Sequence, residues 1–279
     1  MEKFTFSGHD SFQCKTQWLK KGYDFVMNQN NFNDSEAVIA LGVGKNMVSA
    51  IRHWLKAFDI IDSEQNISDI GHYIFNSETG VDPFTEDLST LWLLHYHLIK
   101  KNYASIYNMI FVEFHREKNE FTKSHLQHFI KRRYFEEGWS NLHNENTVKK
   151  DIDVFIQNYV IPDNKNFDDF SVLLLQLELI KKIDKENYSF NTLSKQLVNP
   201  NILLYTILTE KKSNSIDFDN LLKLGLIFCL TNSELIESIE QICSLYPNKV
   251  VFSNVAGIKE LQFKEDILPF EALDLYFRR

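Results

Sequence analysis

The chain has 279 residues, of which 44% are hydrophobic and 14% aromatic, so it can bury one large core or two to three small ones and is not disordered. Its formal net charge of -8 excludes a histone-like attraction to nucleic acid over the whole surface, and any such binding must come from local cationic patches. Cys14, Cys229 and Cys243 are widely spaced with no CxxC pair, which excludes a disulfide framework and a structural zinc site, and the start MEKFTFSGHD has no apolar signal core, so a cytoplasmic protein without a membrane partner is expected.

The polar turn FSGHDSF, Phe6 to Phe12, leads into a helix expected over about Ser11 to Gln29. Two helices follow, Ser35 to Leu41 and Lys45 to Phe58, bracketing Gly42 and Gly44 in the spacing of a helix-turn-helix. In the second helix Val48, Ile51, Leu55 and Phe58 form one apolar stripe, while Lys45, Ser49, Arg52 and Lys56 form another stripe that contains no acid. Such a helix suits a DNA groove, with Lys45, Asn46 and Ser49 entering it first. Ile60 and Ile61, then DSEQN, then Ile67 read as a wing, followed by a helix near Ile67 to Phe75.

Thr85 to Lys101 reads as a strong helix, with Thr85 as its cap and Leu88, Leu91, Trp92, His95, Leu98 and Ile99 as its buried stripe. Another helix, Ala104 to Phe114, precedes the most cationic stretch, in which Lys123, Lys131, Arg132 and Arg133 are candidates for phosphate contact. Asn144 or Asn146 caps a helix reaching Tyr159, and IPDNKNFDD is the expected linker. Beyond it a helix passing into a strand, a KEN turn and a return strand resemble a second winged-helix-like unit. Pro200 opens the next helix, DFDNLLKLG forms one ended by Gly225, Thr231 and Glu234 make a capping box for a helix running to Tyr246, and Val250 to Val255 is a strand.

The expected fold is therefore mainly α with short β-hairpins. It comprises a winged helix-turn-helix DNA-binding domain over 1–80, a helical domain with the basic segment over 81–162, and a mixed helical and winged-helix-like module over 163–279.

GVGKN is not a nucleotide-binding loop, because that loop needs a glycine where Ile39 stands and a hydroxyl where Asn46 stands. Phosphodiester chemistry would draw on three clusters of His, Asp and Glu: Ser7 to Asp10, Glu86 to His97, and Lys149 to Asp153. His95 lies on an apolar stripe and reads as a core histidine. His9 and Asp10, polar residues in an apolar-flanked turn, are the candidates for catalysis, with Mg²⁺ or Mn²⁺ as the metal.

Several motifs resemble a family described as a domain of unknown function and found in bacterial DNA phosphorothioation systems, which includes SspB-like nicking components. These are FSGHDSF, WLKKG at Trp18 to Gly22, LGVGKNMVSAIRHWLKAF at Leu41 to Phe58, DPFTEDLSTLWLLHYHL at Asp82 to Leu98, VKKDIDVFIQNY at Val148 to Tyr159 and AGIKEL at Ala256 to Leu261. The resemblance implies an antiviral-defence protein acting on double-stranded DNA, alongside a cysteine desulfurase, an ATP-dependent sulfur-activating enzyme and an ATPase. Two activities fit that setting: a metal-dependent DNA-nicking endonuclease, and a non-catalytic winged-helix DNA adaptor. A transcription regulator is a further alternative, although the later helices show no convergent polar set of the kind an effector pocket needs.

Overall fold

The structure is a computed structural model that describes residues 4–139, 144–162, 171–193, 195–255 and 258–279. Helix α1 (Trp18–Met27) begins later than its apolar spacing suggests. The preceding residues are extended, because their backbone bonds lie elsewhere: Cys14 N–H donates to Asn158 Oδ1 (3.0 Å), Thr16 N–H to Ser171 O (2.8 Å), and Lys15 bridges Val172.

Helix α2 (Ala37–Leu41) stops on Gly42 at φ 59°, a left-handed conformation that glycine adopts without steric cost, and α3 (Lys45–Ala57) starts beyond an extended Gly44. As expected, Val48, Ile51, Leu55 and Phe58 are buried. Helix α1 approaches α3 at Gly22, where an added Cβ would lie 2.5 Å from Leu55 Cδ1 and 2.9 Å from Ile51 Cγ2. Both neighbours are fully buried and cannot yield. Gly22→Ala is expected to destabilise the protein by about 2 kcal/mol through overpacking, read as a lower urea midpoint at unchanged slope. An unmoved midpoint would show that the helices slide apart freely.

After α3 the two expected wing strands shrink to a single bridge, Ile61 to Ile67. Asp62 closes the intervening turn: its N–H donates to Asn66 O (2.9 Å) and its Oδ1 accepts from Asn66 N–H (2.8 Å). Ser68 then caps α4 (Asp69–Phe75). Helix α5 (Leu88–Lys101) is capped by Asp87 and not by Thr85. Thr85 sits at φ 55° and donates its hydroxyl to Phe84 O, while Asp82 accepts from the N–H groups of Glu86 and Asp87. Of the expected stripe Leu91, Trp92, His95, Leu98 and Ile99 are buried and Leu88 is half-buried; Leu93, Leu94 and Tyr96 are buried too, so α5 is apolar nearly all round, as befits a central helix.

A continuous helical stretch comprises α6 (Ser105–Asn108), a π-helical turn at Met109–Phe114 and α7 (His115–Glu117). Strand β1 (Glu120–Thr122) follows, then α8 (Lys123–Glu136) and α9 (Glu145–Tyr159), the last capped by Asn144. A short turn at Leu175–Leu177 opens the hairpin β2 (Ile180–Lys182) and β3 (Asn187–Phe190). Strand β1 pairs antiparallel with β3, giving the order β1-β3-β2.

That pairing runs across the boundary expected between residues 162 and 163, and the chain instead divides into compact units Met1–Asn191 and Thr192–Arg279. The hairpin therefore completes the first unit rather than opening an independent one. Most of the expected linker, 163–170, lies outside the described residues, as do Ala256 and Gly257 of the AGIKEL motif.

The second unit contains α10 (Pro200–Glu210), β4 (Ser215–Asp217), α11 (Phe218–Ile227), α12 (Asn232–Leu245), β5 (Val250–Val255), β6 (Ile258–Phe263) and α13 (Pro269–Phe277). Gly225 lies within α11 and does not end it; Leu235 packs over it. Thr231 and Glu234 form the expected capping box. The sheet order is β4-β6-β5. One arrangement thus occurs twice: helix, strand, two helices, then a hairpin whose return strand pairs with the first strand. Among the described residues no helix is long and apolar enough to cross a membrane.

Candidate nucleic-acid interface and the loop behind it

The outer face of α3 carries exposed Lys45, Asn46 and Ser49 and half-buried Arg52 and Lys56. Arg52 donates from Nη1 to Asn33 Oδ1 (2.9 Å), Lys56 to Ser63 O (3.1 Å), and the Ser49 hydroxyl turns back to Lys45 O (3.5 Å). None of the three cations is bonded to a carboxylate among the described residues. Burial, and then the charge of Arg52, lowers the Lys56 pKa, while Glu64 and Asp62 act the other way. Like charges are therefore held side by side on this helix.

The cations of α8 are arranged differently. Lys123 meets Asp153 at 2.5 Å, Lys131 meets Glu145 at 3.1 Å, Arg132 lies between Glu117 and Glu136, and Arg133 holds Glu113, Glu136 and Glu137. The sequence showed these residues as a cationic run; the fold returns carboxylates to each of them. A phosphate at this patch would have to displace those partners, whereas on α3 it would not.

Behind α3 lies the FSGHDSF loop, in which Ser7, Gly8, Asp10 and Ser11 all have positive φ. Asp151, reaching from α9, organises it: the Ser7 N–H donates to both carboxylate oxygens (3.1 and 2.9 Å). His9 Nδ1 accepts from Ser11 N–H (3.1 Å), so in the neutral ring the proton sits on Nε2. That Nε2 lies 3.2 Å from Asp151 Oδ1, close enough for charge attraction but not aligned as a hydrogen bond.

The loop also grips the inner face of α3. Trp54 Nε1–H donates to Phe12 O (3.1 Å), and the His9 ring lies 6.2 Å from that of Trp54, nearly parallel. Gly8 passes so close to His53 that a Cβ there would sit 2.6 Å from the His53 Nδ1. His53 is buried between the rings of His9, Trp54 and Tyr103. Burial first, and then the charge of His9, pushes its pKa down to about 3.

The two residues expected to share catalysis are thus separated by the fold: His9 is buried and Asp10 is exposed. The motif Lys149 to Asp153, noted in the sequence as a separate acidic cluster, supplies the partner of His9. His53 escaped notice in the sequence, although a histidine between Ile51 and Trp54 on the buried side of a helix is a visible signal. His95 is a core histidine, 2.8 Å from Tyr159 Oη. Among the described residues no three His, Cys, Asp or Glu side chains converge to hold a metal ion. Both oxygens of Asp151 are already engaged, so this side-chain set does not fit a preformed Mg²⁺ or Mn²⁺ cage.

The model of a family described as "Protein of unknown function (DUF4007)" matches residues 6–277. The chain belongs to this family. Two solved structures share its fold: an SspB crystal structure with a TM-score of 0.84, and a magnesium ion-bound SspB crystal structure with a TM-score of 0.82. Each is 23% identical, and each alignment covers 99% of this chain and 88% of the other. No curated protein matches the sequence.

Proposed function

We propose that this DUF4007-family chain is the DNA-binding component of a bacterial, cytoplasmic DNA phosphorothioation system that protects against phage. The observation that carries the reading is the outer face of α3, whose cations are bonded to no carboxylate among the described residues while those of α8 are all paired. In this reading α2 and α3 are a helix-turn-helix and the Ile61–Ile67 bridge is a reduced wing. Lys45, Arg52 and Lys56 hold backbone phosphates, and Asn46 and Ser49 present groups that can read base edges. Lys123, Lys131, Arg132 and Arg133 add phosphate contacts once their carboxylate partners release them. The sequence resemblance and the SspB-like fold support the phosphorothioation setting and its partners: a cysteine desulfurase, a sulfur-activating enzyme and an ATPase.

DNA nicking at the His9–Asp10 turn is the second reading. It is favoured by the run of left-handed residues in that loop, since backbone strain collects at functional sites. SspB has been crystallised with magnesium, and a Mg²⁺ ion shared between one carboxylate and a DNA phosphate needs no protein cage.

Both readings are tested by incubating the protein with supercoiled plasmid in Mg²⁺, Mn²⁺ or EDTA, beside a binding titration across salt. Replacing Lys45, Arg52 and Lys56 by Ala is expected to reduce the slope of log affinity against log salt by about 2.7, at ~0.9 per phosphate contact. An unchanged slope would mean that α3 faces a protein. Open-circle product that needs metal and disappears in Asp10→Ala would establish nicking; binding with no such product would leave the adaptor.

A further inference from the structure

Two cations on the outer face of α3 each hold one wall of a groove. Arg52 donates to Asn33 Oδ1 (2.9 Å), and the Asn33 N–H donates in turn to Asn31 Oδ1 (2.9 Å), in the chain that follows α1. Lys56 donates to Ser63 O (3.1 Å), one residue before Glu64, in the turn that Asp62 closes. Between these walls the groove encloses about 560 Å³, and its lining includes Asn30, Asn31, Glu64, Gln65, Asn66 and His72. No lysine or arginine lines it among the described residues.

The groove is rich in acceptors. Asn30 donates from Nδ2 to Phe25 O (3.1 Å) and Asn66 from Nδ2 to Asp62 Oδ2 (3.0 Å), so each amide is anchored through its nitrogen and presents its oxygen. Gln65 Oε1 is buried with no hydrogen-bond partner among the described residues, which is costly for an acceptor. The Glu64 side chain is exposed and pairs with no cation among the described residues. Such a lining repels a phosphate and suits a hydrogen-bond donor.

We infer that this groove reads the DNA minor groove, where Gln65 and Glu64 accept from the N2 amino group of a guanine. In the minor groove A·T and T·A pairs show acceptors only, and the guanine N2 amino group is the one donor that a base pair presents. This rests on the DNA-binding reading of α3. With that helix in the major groove and Arg52 and Lys56 on the flanking phosphates, the walls that those cations hold follow the strand toward the adjoining minor groove. Gln65 is half-buried, and a turn of its side chain presents Oε1 to the base.

The test uses the full chain and a mixed-sequence duplex of about three turns (~30 bp), beside a copy with every guanine replaced by inosine. Inosine keeps the major-groove O6 and N7 and lacks only the N2 amino group. The wild-type chain is expected to bind the inosine duplex about tenfold more weakly. Two variants, Gln65→Gly and Glu64→Ala, should each shrink that preference. Gln65 lies at φ 70°, which glycine adopts without strain, and Glu64 is exposed, so unchanged thermal midpoints verify both folds. Equal wild-type affinity for the two duplexes would overturn the inference while α3 stands, and would leave these acceptors to a donor on a partner protein. A preference that survives in both variants would also overturn it, because the discrimination would then come from duplex shape or from α3. If the wild-type chain binds neither duplex, the DNA-binding reading itself fails.

Discussion

Lowering the pH from 6.5 to 5 is expected to remove about 2 kcal/mol of folding stability through one side chain, His53. The residue is 5% exposed on the inner face of α3, its Nε2 has no hydrogen-bond partner among the described residues, and burial followed by the charge of His9 holds its pKa at about 3. In the unfolded chain a histidine titrates near 6.5. As pH falls below that value the unfolded state takes up a proton that the folded state refuses until about pH 3. The contribution is thus complete above pH ~6.5 and drains away between ~6.5 and ~3, at up to ~1.4 kcal/mol per pH unit.

The carboxylates act lower. Burial raises the Asp59 pKa, but bonds to His97 and Lys101 outweigh it and leave the group depressed, so its contribution is present above its unfolded pKa near 4 and is lost only in stronger acid. Urea unfolding at several pH values between 6.5 and 5, on wild type and His53→Leu, isolates the histidine. The wild type should weaken steadily while the variant stays nearly flat; parallel slopes would show that another group titrates.

Asp151→Ala should produce a larger loss at neutral pH, about 3 kcal/mol. The carboxylate is 3% exposed and receives the Ser7 N–H while standing beside the His9 Nε2. Alanine removes the acceptor of the Ser7 N–H and the buried carboxylate that faces the buried His9 Nε2, and stranding a buried polar group costs about 1–3 kcal/mol. At roughly 2–4 °C per kcal/mol the melting temperature should fall by roughly 6–12 °C. Asp151→Asn retains one acceptor oxygen and should lose less than half as much. Equal losses in the two variants would mean that the carboxylate's charge, and not its acceptor geometry, holds the loop. Because the loop packs on Trp54 and His53, loosening it should also weaken the DNA binding proposed for α3, without altering any residue of the outer face.

Helical periodicity made α3 legible before its structure was known: an apolar stripe at three- and four-residue spacing must be buried, and Gly42 can end a helix in a conformation other residues resist. The turn, the capping box at Thr231 and the β2–β3 hairpin were legible for the same reason, since each depends on neighbours in sequence. What stayed hidden depends on distant partners. Residues 11–17 have helical spacing, but Asn158 and Ser171 claim their backbone donors. Strand β1 has only three residues and is defined by β3, almost seventy positions later. The cations of α8 looked free because Glu113, Glu117 and Glu145 approach them only in the folded chain. The candidate loop was visible as FSGHDSF, yet its division into a buried histidine and an exposed aspartate follows from Asp151, which no local pattern could supply.

The Ser7–Asp151 contact joins residues 144 positions apart. On the ribosome the first helices emerge and can form locally long before α9 exists, and through that interval FSGHDSF has α3 to pack on but lacks the carboxylate that faces Ser7 and His9. Closing so long a loop carries an entropic penalty that is repaid only when the last polar partner arrives. The loop on the inner face of α3 is thus a surface that the nascent chain leaves unfastened until α9 emerges, and one on which a holding chaperone would act.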